Sequence, residues 1–321
     1  FYIWKIRYCE GGDNRAIVSR ALEAGLSHVL IKCADGPYRY NIYDGRDLLP
    51  DLVNALREAG ISIWLWQYVY GNNPAGEAMV AIERIQQLAP DGFVVNAEAE
   101  YKHRPNQATA YMSALRAGIS NDLPVALSTY RWPSYHPEFP FIQFLQRCDI
   151  AMPQVYWLQA HNPRQQLTRT LNEYAQFNRP VIPTGACFSE HNWRPSASEI
   201  AEFIQACKDF QLTGCNFWEW SNARSYVQDG WEVIRSTGWA NPPATENESE
   251  PDQPDHNWRA RVLVRALNVR SGPGLNYPII SQLHAGDLVN ISNIGGDIWV
   301  EIEPGRWAAH THGGNRYMEL V

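Results

Sequence analysis

No apolar run in this 321-residue chain approaches the 18 or more residues that a membrane helix needs, so no membrane span is expected. Dense Lys/Arg runs are also missing and the net charge is −7, which argues against a partner held by phosphate neutralisation. Nucleic acid is therefore not an expected partner. Six cysteines (Cys9, Cys33, Cys148, Cys187, Cys207, Cys215) all lie at or before residue 215, and none has C-x-x-C spacing. Cys9 and Cys33 fall near the ends of adjacent expected strands, which leaves a disulfide open, but buried thiols are the expectation for most of the six. His103, His136, His161 and His191 follow successive expected strands without an H-x-H or H-x-x-x-H partner, so no metal is expected. A Gly-x-Ser-x-Gly turn and Gly-rich phosphate loops are absent too, which removes a serine nucleophile of that type and nucleotide cofactors. Residue 1 is Phe rather than Met, and we read the chain as a mature or trimmed one from which any signal peptide is already missing.

Apolar and aromatic residues are abundant. Hydrophobic residues make up 45% of the chain, enough for a sizeable core, and 13 Trp and 16 Tyr offer flat faces that either pack cores or stack on sugar rings. Short β-branched or aromatic runs at 1–6, 28–33, 61–68, 92–98, 124–129, 150–156, 180–185 and 214–220 alternate with amphipathic stretches such as 14–24, 48–59, 77–88, 106–117, 163–177 and 198–209. Such alternation implies parallel strands joined by crossover helices, and eight of them close an α/β fold, the (β/α)8 or TIM barrel, over residues 1–238. Ala24-Gly25 and Ala59-Gly60 place glycine where two of the helices need a left-handed stop.

Residues 239–257 have no apolar periodicity. The stretch 241–255 carries four Pro and five acidic residues, as expected of an extended, self-repelling linker. From 258 to 321, short alternating strands separated by Gly/Pro turns predict a small β-barrel. Its run Leu267-Asn-Val-Arg-Ser-Gly-Pro-Gly-Leu-Asn-Tyr-Pro278, followed by Gly286-Asp-Leu-Val289 and Trp299-Val300, resembles the bacterial SH3 family. That resemblance implies attachment to a cell wall or another extracellular surface, and no catalysis.

In barrels of this kind the working site lies at the carboxyl ends of the strands. Strand four reads Phe93-Val-Val-Asn-Ala-Glu-Ala-Glu-Tyr-Lys102, and the two-residue period puts Asn96, Glu98 and Glu100 on one face. A carboxyl group inside a mostly apolar barrel mouth is costly to ionise and suits a general acid, as glycoside hydrolysis requires. Glu98 is the expected proton donor. The strand pair Val29-Leu-Ile-Lys-Cys-Ala-Asp-Gly36 and Asn96-Ala-Glu98 resembles the family 25 glycoside hydrolases, lysozyme-type muramidases that cut peptidoglycan. The resemblance implies that the catalytic glutamate is Glu98. It also puts Asn96 where the family has aspartate, and the family's strand-one aspartate has no counterpart in Phe1-Tyr-Ile-Trp-Lys-Ile6.

A second carboxylate is expected from Glu219 on strand eight, across the barrel, or from Asp35 on strand two, because Glu98 and Glu100 are too nearly collinear to straddle a sugar. Each has a structural alternative: a turn for Asp35, pairing with Lys102 for Glu100, a bond to a neighbouring strand for Glu219. Asn96, Glu100, Trp66, Tyr130, Gln154, Tyr156, Trp157 and Trp218 are the expected substrate contacts, since amides and phenols bind hydroxyl or acetamido groups and indoles stack. The expected function is a secreted, cofactor-free glycoside hydrolase acting on an N-acetylated polysaccharide such as peptidoglycan. The alternative is a barrel without catalysis that serves as a carbohydrate-binding or structural part of the cell surface.

Overall fold

The computed structural model describes residues 1–239, 258–272, 275, 277–291, 293–295, 299–303, 306–309, 311–312 and 315–320. The chain divides into two compact units, Phe1–Ala240 and Asn241–Val321. The linker expected at 239–257 lies, apart from Trp239, outside the described residues.

Eight parallel strands pair in chain order in the first unit: β1 (Tyr2–Ile3), β2 (His28–Asp35), β3 (Ser62–Val69), β4 (Gly92–Ala97), β5 (Val125–Tyr130), β6 (Ile150–Val155), β7 (Thr184–Ala186) and β8 (Asn216–Trp218). The ring is nearly closed. Between β8 and β1 side chains bridge the gap: the Phe1 ring packs on Phe217 at 5.6 Å and Tyr2 on Trp218 at 5.4 Å. The His28 ring N–H on β2 donates to Asn216 Oδ1 on β8 at 2.6 Å.

Helices α1 (Asn14–Glu23), α2 (Leu49–Glu58), α3 (Pro74–Leu88), α4 (Pro105–Gly118), α5 (Phe141–Leu145), α6 (Pro163–Tyr174), α7 (Ala197–Asp209), α8 (Trp220–Tyr226) and α9 (Gln228–Thr237) complete the unit. Their starts follow capping chemistry. Asp13 accepts from the backbone of Arg15 and Ala16, Asn73 from Gly76, and Ser196 with Glu199 forms a reciprocal capping box. Gly25 and Gly60 hold the expected left-handed conformation, at φ of 62° and 74°.

Alternation along the strands sorts the side chains into two cores. Outward positions such as Val29, Ile31, Leu65, Val95 and Leu127 join the helices in one large cluster. Inward positions Tyr2, Leu30, Trp66, Val94, Ala126 and Met152 fill the barrel, each large side chain contributing about 1.5–3 kcal/mol by burial. Gly92 faces inward at the foot of β4, where a Cβ would lie 2.5 Å from the Trp64 ring.

Three strands are shorter than their sequence suggests. After Ile3 the chain coils into two 3-10 turns, Ile6–Tyr8 and Glu10–Gly12. Pro180 and Pro183 have no N–H for a ladder, so only the Val181–Ala151 bridge precedes β7. β8 ends at Trp218 because α8 begins at Trp220.

The second unit is antiparallel. Trp258–Val262 pairs with Leu288–Ile291 and Met318–Leu320, and a five-stranded sheet runs Ile279–His284, Ala266–Arg270, Arg306–Ala309, Trp299–Glu303, Asn293–Gly295. Ala260, Val262, Leu267, Val269, Ile302, Ala308 and Met318 form its core. Arg270 donates to the carbonyls of Leu275 (3.0 Å) and Tyr277 (2.6 Å), which explains the arginine before the Gly/Pro turn.

Candidate active site

At the carboxyl end of the barrel a cavity of about 250 Å³ is lined by Trp4, Lys32, Trp66, Tyr68, Asn96, Glu98, Gln154, Tyr156 and Trp218. The two-residue period explains why these meet. Lys32 pairs with Trp66 across β2 and β3, Tyr68 with Asn96 across β3 and β4, and Asn96 with Ser128 across β4 and β5, all inward-facing. Glu98 stands where β4 stops, leading into the 3-10 turn Ala99–Tyr101 without capping it.

Side-chain amides surround its carboxylate. Asn96 Nδ2 donates to Glu98 Oε1 at 2.9 Å, and Gln154 Nε2 donates to the same oxygen at 2.8 Å and to Asn96 Oδ1 at 3.1 Å. Asn96 is buried, and the triangle of Asn96, Glu98 and Gln154 fixes three rotamers at once. Tyr156 reaches the same cavity. Its ring rests edge-on against Phe188, its hydroxyl has no hydrogen-bond partner among the described residues, and burial, then Tyr2 and Glu98, pushes its phenol well up.

The other carboxylates are engaged elsewhere. Asp35 accepts from Lys32 Nζ at 2.8 Å and from the Tyr70 hydroxyl at 3.4 Å. Glu100 accepts from the Tyr68 hydroxyl at 2.7 Å. The face predicted to carry Asn96, Glu98 and Glu100 in line ends sooner, because the strand stops at Ala97 and Glu100 lies in the turn. Burial, then Glu98 and Glu100, pushes the Tyr68 phenol up. Glu219 is buried but turned away from the cavity: it caps α8, accepting from the backbone N–H of Ser221 (3.2 Å) and Asn222 (2.8 Å) and from the Ser221 hydroxyl (2.7 Å). Glu98 is thus the single carboxylate in the lining.

The aromatic candidates divide. Trp218 lines the cavity beside Trp66 (ring centroids 5.5 Å apart), and Trp66 is held by an N–H to the Ile3 carbonyl at 3.2 Å. Tyr130 lies at the rim, stacked on His136 at 3.6 Å. Burial, then Glu98 and Glu100, pushes its phenol up to about 12. Trp157 is fully buried against Phe203 (5.2 Å) and presents no face to the cavity. Tyr68, a strand-end tyrosine, joins the site, and so do Trp4 and Lys32, which were not expected there. A lysine inside the otherwise apolar β2 run was the available signal, and inward register from Asn96 to Tyr68 was another.

A second cavity, about 200 Å³ at the opposite end of the barrel around Phe1, His28, Trp64, Met152 and Phe217, has no Asp or Glu in its lining. All six cysteines are free, and burial pushes the Cys33 and Cys148 thiols up to about 12. No three His, Cys, Asp or Glu side chains among the described residues are grouped to hold a metal ion. No helix among them is long and apolar enough to cross a membrane.

Residues 265–314 match the bacterial SH3 domain family. No curated protein matches the chain in sequence. Among solved structures, the barrel is similar to a chitinase from Chromobacterium violaceum ATCC 12472 (TM-score 0.54, 11% identity, covering 73% of this chain and 97% of that one). It is also similar to a family 18 chitinase from Cycas revoluta bound to (GlcNAc)4 (0.54, 9%, 68% and 95%) and to the Bacillus cereus spore cortex-lytic enzyme SleL (0.54, 8%, 73% and 72%). At these identities the likeness establishes the barrel fold. The relatives it brings forward are chitinase-like barrels rather than the family 25 muramidases that the strand motifs resemble.

Proposed function

We propose that the barrel is a glycoside hydrolase for an N-acetylated cell-wall or extracellular polysaccharide, with Glu98 as its acid/base and the C-terminal domain holding the chain at its substrate. The observation that carries this reading is the placement of Glu98: one carboxylate, locked by the amides of Asn96 and Gln154, in an aromatic-lined cavity at the carboxyl end of the barrel. Similarity of the barrel to chitinases and to a spore cortex-lytic enzyme supports the substrate class. The bacterial SH3 match supports a surface location, where tethering raises the effective concentration of a catalytic domain.

With no second carboxylate in the lining, the nucleophile is best supplied by the sugar's own acetamido group, an established variant of this chemistry. Glu98 donates its proton to the glycosidic oxygen as the C1–O bond breaks, and the acetamido carbonyl oxygen closes on C1. Water then attacks C1 and returns a proton to Glu98, so configuration is retained. Asn96, Gln154 and the free hydroxyl of Tyr156 orient the acetamido group, and Trp66 and Trp218 give the sugar ring an apolar floor. Glu98→Gln should abolish release of reducing ends while leaving the melting temperature unchanged. Equal turnover by the variant would end the proposal.

One observation favours the second reading, a barrel that binds glycan without cutting it: a neutral Asn96 stands beside Glu98 where an acid would complete a catalytic pair. Calorimetric binding of chitin or peptidoglycan fragments without turnover by the unmodified chain would select it.

A further inference from the structure

Next to the Glu98 cavity lies a third pocket, of about 210 Å³, lined by Lys5, Arg7, Arg39, Tyr40, Asn41 and Tyr43 together with Ile42 and Leu48, without an acidic residue. In a chain of net charge −7, three cations around one acid-free pocket are conspicuous. Arg39 pairs with Glu83 outside the pocket. Lys5 and Arg7 have no carboxylate partner among the described residues: the Lys5 ammonium rests 4.5 Å from the Trp4 ring, and the Arg7 guanidinium 4.8 Å from the Tyr43 ring.

The two pockets share a wall. Tyr40 lines the basic pocket, and its ring lies 4.3 Å from the ammonium of Lys32, which lines the Glu98 cavity; Trp4 of that cavity is followed by Lys5 of the basic one. Asn41 fastens the wall, donating to the carbonyls of Trp4 (3.1 Å) and Lys32 (2.8 Å) and accepting the Ile6 N–H (2.9 Å). A glycan seated in the Glu98 cavity therefore has the basic pocket as its neighbour across this wall.

We propose that this pocket is a subsite for a carboxylate carried by the glycan, so that the preferred substrate is an acidic N-acetylated polysaccharide and not neutral chitin. Unpaired cations in a concave site focus the field on an anion, and arginine with aromatic neighbours suits a carboxylate on a sugar. The proposal takes from the functional reading only that a glycan occupies the Glu98 cavity. A muramyl lactyl group and a uronic acid present the same carboxylate chemistry.

The test is calorimetric binding to the full chain carrying Glu98→Gln. The probes are an N-acetylglucosamine tetramer, peptide-free peptidoglycan oligomers, the same oligomers methyl-esterified, and oligomers alternating N-acetylglucosamine with glucuronic acid. At least one carboxylated probe should bind roughly five- to tenfold more tightly than the neutral tetramer. The preferred probe identifies the source of the carboxylate. Esterification, 0.5 M salt, or Lys5→Gln with Arg7→Gln should each bring the affinity ratio close to one. Equal affinity for carboxylated and neutral probes, or a ratio untouched by the double substitution, would overturn the proposal. Failure of the hydrolase reading would appear separately, as no reducing-end release from any probe by the unmodified chain while the affinity ratio stands.

Discussion

Glu98 and Glu219 each stand one residue past the end of a barrel strand, but Glu98 continues the inward set of Val94 and Asn96 whereas Glu219 follows the inward Trp218, and their surroundings give them opposite uses. After Glu219 a helix starts at once, and the carboxylate turns to its exposed N–H groups, accepting from Ser221 and Asn222. After Glu98 the chain makes only a 3-10 turn that the side chain does not cap, so its oxygens stay over the cavity, met by side-chain amides alone. The element after a strand, as much as the residue that ends it, decides whether a rim carboxylate holds the fold together or faces a ligand.

Substitutions can break this contrast in graded ways. The largest effect belongs to Glu98→Gln, with a fall in kcat of about 10²–10⁴ and no loss of stability, read by reducing-sugar assay and thermal melting in parallel. Gln154→Leu removes the donor shared by Asn96 and Glu98 while keeping the volume. It should lower kcat by about tenfold, with thermal stability falling by no more than about 1.5 kcal/mol in denaturant titration. Glu219→Ala should do the reverse, costing about 1–2 kcal/mol of stability through the lost cap while activity per folded molecule holds. Activity that vanished with Glu219 in a folded protein would erase the contrast.

A pH-dependent effect lies at the other end of β8. Burial depresses the His28 imidazole to about 4, below its ordinary 6.5, although its bond to Asn216 works the other way. The unfolded chain then takes up the proton first, so this contribution is complete above about pH 6.5 and is lost as the pH falls towards 4. Denaturant midpoints of the unmodified chain should drop across that window, and His28→Gln should flatten the slope.

The barrel was legible because its signals are periodic: eight apolar runs, helices between them, and glycine stops at Gly25 and Gly60. The SH3-like module was legible because its motif is dense. Glu98, Asn96, Gln154, Tyr156, Trp66 and Trp218 could be placed by inward register from strand ends. Glu219 was misplaced, because an inward Trp218 leaves its neighbour on the other face, where α8, starting at Trp220, takes the carboxylate as a cap. Trp157 was misleading because the same period puts it on the outward side with Ala151 and Val155, where its indole packs among the helices against Phe203. Trp4, Lys5 and Arg7 escaped notice because the expected first strand dissolves after Ile3 into turns that lift them onto the rim.

The most direct test of the single-carboxylate account is a crystal structure of the Glu98→Gln variant soaked with an N-acetylated oligosaccharide. The glycosidic oxygen should lie within about 3 Å of the side chain at position 98, with the acetamido group folded beneath C1 and held by Asn96, Gln154 or Tyr156. A sugar bound with its glycosidic oxygen against Asp35 or Glu219, or lying outside the cavity, would contradict it.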